Sequence, residues 1–211
     1  MNITIFGGTG ATGLLLIEKA LKSGHTITVF ARTPSKISIK NDNLRIVKGE
    51  LTEPEKIEEA IKNADAVISV LGPAQKTKGL IIADGIKNIV ETMKKNGVKR
   101  LIATATPSFK DSNDKFQFGF AFGVFMVKAL IKDSYNNIVL TGKYISESGL
   151  DWTIVRLPML NDKPASGKIK AGYTGDGTVS LFSLSRADLA DFLLQQLSDK
   201  KWLHKSPVIS N

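Results

Sequence analysis

At 211 residues, with 42% hydrophobic and 23% charged side chains, the chain suits one α/β domain with a proper core, residues 1–211, and no stretch has the composition of a disordered tail. The absence of cysteine excludes disulfides and thiolate metal sites, and no metal is called for. A formal charge of +9 raises nucleic acid as a partner, but the basic residues are dispersed, as at Lys19, Lys22, Lys62, Lys87, Lys94 and Lys95, among glutamates. A solvated lysine-rich surface with no nucleic-acid partner is therefore expected.

The first strand, Ile3-Thr4-Ile5-Phe6, begins two residues after Met1, which leaves no room for a signal peptide, so an unexported, cytoplasmic protein is expected. The strand breaks into Gly7-Gly8-Thr9-Gly10-Ala11-Thr12-Gly13 and then an apolar helix to about Ser23. Gly8, Gly10 and Gly13 fit G-x-G-x-x-G, while Gly7, Gly10 and Gly13 fit G-x-x-G-x-x-G. In both registers one glycine serves the tight turn, one lets the backbone approach a pyrophosphate, and one lets helix and strand pack closely. A dinucleotide bound over residues 7 to 13 is the expected ligand. Gly24 closes the helix, and His25 to Phe30 alternates as a second, parallel strand. An NAD-preferring enzyme places a carboxylate near its end, whereas this chain has Ala31-Arg32-Thr33. Arg32 can hold a 2′-phosphate bidentately, which favours NADP(H), with Ser35 and Lys36 as helpers.

Leu44 to Gly49 reads as a third strand, and Thr52-Glu53-Pro54-Glu55 as a capping box opening a helix at about Glu53. Glu50 and Leu51 lie where an adenine would rest, although Glu50 is equally an ordinary loop acid. The apolar run from Ala66 to Leu71 is the mark of a central strand covered on both faces. It stops at Gly72-Pro73, and Leu71, Gly72 and Pro73 flank the expected cofactor. A helix is predicted from about Lys78 to Asn96, and a strand from Arg100 to Thr106. Thr104, Thr106 and Ser108 fall at its carboxyl end, where a hydroxyl either faces the nicotinamide or caps the strand.

Phe116, Phe118, Phe120, Phe122 and Phe125 crowd one short segment, too short to cross a bilayer at about 20 apolar residues. It reads as a substrate lid, an oligomer surface or core packing. The lid is favoured, because Gly119 and Gly123 suit a mobile flap better than a core helix. Phe109 and Met159 join these five as expected substrate contacts, and residues 110–135 and 157–185 form the lid region. A helix from about Asn136 to Ser148 leads to a strand, Trp152 to Pro158, and Pro158 joins the expected cofactor contacts. Gly167 to Asp176 is a glycine-rich connection, Ser185-Arg186-Ala187-Asp188 opens an amphipathic helix, and Pro207-Val208-Ile209 is a candidate last strand.

The glycine motif, Ala31-Arg32, Gly49-Glu50-Leu51, the phrase from Glu147 to Pro158 and the Ser185-to-Ala190 signature resemble the atypical short-chain dehydrogenase/reductases. The resemblance is closest to the NAD(P)H-binding group of biliverdin reductase B / flavin reductase and NmrA-like proteins, and spans nearly the whole chain. It implies a Rossmann-type doubly wound parallel sheet with a small C-terminal substrate-binding region, and NADPH as hydride donor. Typical members use Tyr-x-x-x-Lys; here Lys143 sits on the equivalent helix, Val139 precedes it by four, and Tyr144 points about 100° away. Lys143 is then expected at the nicotinamide ribose, with no phenolic acid. Met159 stands where the flavin reductase relatives carry a histidine. Reduction of a flavin, quinone or related conjugated acceptor tolerates the missing acid. An NmrA-like redox sensor without turnover is the alternative, and a sugar-nucleotide epimerase or dehydratase a third. The expected partners are a small-molecule acceptor and no membrane, with the protein a monomer or small homo-oligomer.

Overall fold

The alternation of period-2 and period-3.6 hydrophobic stretches resolves into strands and helices in turn. The computed structural model describes residues 1–73, 79–180 and 182–211, and at Val127 the backbone alone. In chain order it contains β1 (Asn2–Phe6), α1 (Ala11–Lys22), β2 (Thr26–Ala31), β3 (Leu44–Lys48), α2 (Pro54–Ile61), β4 (Ala66–Ser69), α3 (Ile81–Lys95) and β5 (Arg100–Ala105). There follow α4 (Phe118–Leu130), α5 (Lys132–Ser146), β6 (Asp151–Arg156), β7 (Leu160–Asn161), β8 (Lys170–Gly172), β9 (Leu184–Ser185), α6 (Arg186–Gln195) and β10 (Val208–Ser210). Lys78, the expected start of the third helix, lies outside the described residues.

The main sheet runs β3-β2-β1-β4-β5-β6-β10-β8, parallel throughout except for β8. β7 and β9 form a separate parallel pair. Successive residues of one strand serve opposite layers. Ile3 and Ile5 pack with Leu16, Ile17 and Leu189 of α1 and α6, whereas Phe6 joins Ile57, Ile86 and Met93 of α2 and α3. Between them, Thr4 is buried without loss because its hydroxyl donates to the Ala60 carbonyl at 2.6 Å. This is the expected doubly wound architecture. The order reverses at β1 and β4, and ligands of such sheets bind at the carboxyl ends beside that reversal.

Four local expectations change. Thr52 does not cap α2; Glu53 occupies the cap position, and its carboxylate accepts from the Glu50 N–H at 2.6 Å, which draws the start to Pro54. The phenylalanine segment is a helix, α4, running through Gly119 and Gly123. α5 begins four residues before the expected Asn136, since the Ile131 carbonyl accepts from Tyr135 N–H. The glycine-rich stretch contributes β8, which pairs antiparallel with β10.

The Ser185 signature holds: its hydroxyl accepts from the Asp188 N–H at 3.0 Å and donates to the Asp188 carboxylate at 2.8 Å. Arg156, fully buried at the end of β6, forms a bidentate pair with Asp114 at 2.6 and 2.8 Å and donates to the carbonyls of Ser206 and Phe109. It thereby ties the chain leading into α4 to the strand beside it. Burial alone would raise the Asp114 carboxyl, but Arg156 and N–H donors outweigh that and hold it below the ordinary carboxylate value.

Candidate active site at the carboxyl edge

The glycines between β1 and α1 divide by what a side chain would meet. Gly7 has φ +86°, and a Cβ there would lie 2.9 Å from the Val70 carbonyl after β4. A Cβ on Gly8 would lie 2.4 Å from a Val29 methyl, and one on Gly13 2.3 Å from the Gly7 carbonyl oxygen. Turn geometry and packing account for these three. Gly10 differs. Its backbone is ordinary, at φ −82° and ψ 164°, and its nearest neighbour would be the Gly7 oxygen at 3.5 Å. Neither strain nor crowding demands a glycine at this position, which is the signature of space kept free for something outside the chain.

Gly10 is also the N-cap of α1, with no side chain capping it and no acidic residue in the first turn. The N–H groups of Ala11, Thr12 and Gly13 precede the first intrahelical bond, Leu14 N–H to the Gly10 carbonyl at 2.9 Å. Unpaired donors, the positive helix end and a missing side chain form a cradle for a pyrophosphate. Half-buried Thr9 completes it. The residues present thus fit a dinucleotide.

Two positions away in the sheet, the carboxyl ends of β4, β5 and β6 enclose a cavity of about 80 Å³, which suits one ring rather than a drug-sized ligand of about 300 Å³ or more. Leu71, Gly72 and Pro73 form one side, Thr104, Ala105 and Thr106 the floor, and Leu157, Ile82, Ile138 and Thr141 the rest. Thr104 is spoken for, its hydroxyl 3.5 Å from the Ser69 carbonyl, and Thr106 accepts from the Ser108 N–H at 3.3 Å. The Thr141 hydroxyl is buried and has no partner among the described residues. A lost hydrogen bond of that kind costs about 1–3 kcal/mol, so a ligand group at this point is the natural complement. None of the ten lining residues ionises.

The remaining expected site residues are distributed around this edge. Arg32 follows β2, is exposed and makes no ion pair among the described residues. Glu50 is exposed, while Leu51 is half-buried against Gly85 of α3, and its carbonyl accepts from Asn88 at 2.8 Å. Ser108 is buried behind the cavity wall, and Pro158 is half-buried. Lys143 is exposed and absent from the lining; two residues from Thr141, it lies roughly 160° around α5. Phe109 packs over Gly142, where a Cβ would lie 2.2 Å from its ring. Phe109 and Phe120 are half-buried, but Phe116, Phe118, Phe122, Phe125 and Met159 are exposed, and none of the seven lines the cavity. Thr141, Ile82, Ile138 and Leu157 escape the sequence reading. They come from three distant segments, α3, α5 and the end of β6, with no shared motif, and a lone threonine in a helix carries no signal of its own.

A family model described as NAD(P)H-binding matches residues 7–200. The photosystem II assembly factor Ycf39 of Synechocystis is 27% identical over 162 residues, 74% of this chain and 44% of that protein. A phenylcoumaran benzylic ether reductase from Ginkgo biloba is 27% identical over 218 residues, 97% of this chain and 67% of that one. This chain thus spans under half of the first relative's length and about two thirds of the second's. Among solved structures, ChuY, an anaerobillin reductase from Escherichia coli, superposes with a TM-score of 0.81 at 19% identity, covering 100% of this chain and 97% of that one. A short-chain dehydrogenase/reductase from Veillonella parvula, in complex with NADP, gives 0.81 at 20% identity, covering 100% and 94%. At such identities these two carry the fold alone. Glycine cradle, sheet order and family model agree: the chain belongs to the NAD(P)H-binding family and has a Rossmann sheet.

Proposed function

We propose that this protein is an NADPH-dependent reductase of flavins, quinones or related conjugated acceptors. One observation carries the reading: among the described residues, the cavity beside the dinucleotide cradle is apolar, has a single orphaned hydroxyl, that of Thr141, and has no ionisable lining residue. The reduced nicotinamide supplies two electrons and a proton as hydride. With no acid among the described lining residues, the second proton comes from water, which an acceptor able to delocalise its product charge tolerates and an unactivated ketone does not.

The chain's own residues bind and orient. Residues 7 to 13 hold the pyrophosphate, Arg32 the 2′-phosphate, and Leu51 flanks the adenine. Thr104 and Thr106 bound the nicotinamide pocket, and Thr141 hydrogen-bonds its carboxamide. Apolar Leu71, Ile138 and Leu157 keep water from the ring. Lys143, turned away on α5, has no part in the step. Of the aromatic residues expected to meet the acceptor, the half-buried Phe109 and Phe120 form its outer wall.

The test is NADPH and NADH oxidation, followed at 340 nm, with FMN, riboflavin, quinones and biliverdin. Arg32→Ala should weaken NADPH binding at least about tenfold, or ~1.4 kcal/mol, and leave NADH within about twofold. Equal losses for both cofactors would remove Arg32 from the site. Tight NADPH binding with no oxidation by any acceptor would make the protein a sensor instead.

A further inference from the structure

Exposed large apolar side chains are not spread evenly over this molecule. Among the described residues they are Met1 and ten others: Ile81, Phe116, Phe118, Phe122, Phe125, Met126, Leu130, Ile131, Met159 and Phe182. All ten lie in connections that leave the carboxyl ends of β4, β5 and β6. α4 forms the crest of this rim. Phe118 is 75% exposed, Phe125 62% and Leu130 73%. At 100° per residue, the exposed face from Phe125 through Phe118, Phe122 and Met126 to Leu130 covers an arc of about 140°. Among the described residues, only the side carrying Phe120 and Val124 is half-buried. Apart from Lys128 the helix is apolar all round, so that side packs inward and leaves a broad apolar surface outward.

Its charges have one sign. From Phe116 to Lys132 the only ionisable groups are Lys128 and Lys132, and Lys110 and Lys115 precede them, all four exposed. Of the acids nearest α4, Asp114 pairs with Arg156, Asp111 bonds Ser206, and exposed Asp133 accepts from the Gly79 N–H at 3.2 Å; farther along the rim Asp84, on α3, is exposed. A second copy seated symmetrically on this face would set lysines against lysines. A small acceptor is too short to cover a helix of 13 residues, about 20 Å long. An apolar crest flanked by lysines matches the layering of a bilayer surface, acyl boundary beneath phosphates.

We propose that this rim docks on an anionic phospholipid surface, with Phe118, Phe122, Phe125 and Leu130 entering the interfacial layer and Lys110, Lys115, Lys128 and Lys132 meeting lipid phosphates. α4 is too short to cross a membrane and lies in its surface. The site stands apart from the cofactor cradle and does not depend on the acceptor's identity. Flotation with vesicles of phosphatidylglycerol and phosphatidylcholine, against phosphatidylcholine alone, tests it on the full chain. The parent should float with the anionic vesicles at least tenfold more strongly, and about 0.5 M salt should weaken this. Phe118→Ser/Phe122→Ser/Phe125→Ser should abolish flotation, and the four lysine-to-glutamine changes should remove the anionic preference. Both variants should keep the parent's melting temperature and NADPH affinity. Failure of the parent to float, or equal flotation with neutral vesicles, overturns the proposal. So does a dimer, seen by sedimentation equilibrium, that the serine variant dissolves.

Discussion

Gly10 and Gly13 stand three residues apart in one motif, yet a methyl group added to each would meet opposite surroundings. At Gly13 it would strike the Gly7 carbonyl and the Gly8 Cα; at Gly10 it would meet only the Gly7 oxygen, in ordinary contact at 3.5 Å. Gly10→Val should therefore leave unfolding free energy within about 1 kcal/mol of the parent, a cap-position effect, while abolishing NADPH binding by occupying the pyrophosphate cradle. Gly13→Ala should instead lower stability. Denaturant unfolding and cofactor titration on both proteins separate the roles. A folded Gly10→Val protein with normal affinity would reduce the motif to a turn. The distinction is invisible in sequence, where the glycines are equivalent letters. What was legible was the cradle as a unit, because strand, glycines and helix are contiguous. Thr141 was not, because its orphaned hydroxyl exists only once α5 closes over β5.

At the scale of elements, α6 shows how one side chain fastens a helix start to distant backbone. Asp188 is fully buried and accepts from the N–H groups of Ser166 and Gly167, at 2.8 and 2.9 Å, from the Ser185 hydroxyl and from Asn211. Burial alone would raise its carboxyl, but these donors outweigh burial and bring it from the ordinary 3.8 to about 2. A depressed carboxylate stabilises the fold above its unfolded value and stops doing so as protons return. The contribution, about 2 kcal/mol, should be intact above about pH 4 and fade between about pH 4 and pH 2. Asp188→Asn should lower stability at pH 7 and flatten that acid limb of a stability curve; an unchanged limb would mean other carboxylates dominate it. Sequence showed the Ser185 cap because capping is local. It misplaced the Thr52 cap, since Glu53 takes the cap position with its carboxylate turned back to the Glu50 N–H, and it passed over β8, whose Lys170-Ala171-Gly172 has no apolar alternation. It assigned no helix to Phe118–Leu130, since Gly119 and Gly123 lower helix propensity without forbidding a helix.

Across the whole molecule, Arg156 joins parts that lie far apart in the chain: the end of β6, the loop from Phe109 to Asp114 that leads to α4, and the Ser206 carbonyl before β10. Arg156→Met should cost about 3 kcal/mol by leaving the partly buried Asp114 carboxylate without its cation, and adding Asp114→Leu should recover part of it. Denaturant midpoints of the two variants decide this, and strictly additive losses would refute the coupling. The sheet order has a consequence for how the protein is made. β10 lies between β6 and β8, so residues 208–210 complete a sheet whose neighbouring strands end at Arg156 and Gly172, well earlier in synthesis. During synthesis β1 to β6 can assemble as they emerge, while β6 keeps an open edge and β8 has nothing to pair with. The dinucleotide cradle and the cavity floor belong to the early part. The cradle's own strand and helix nevertheless rest on Leu189, Leu193 and Ile209, so the chain from Leu189 onward completes the support of a site whose lining is made first.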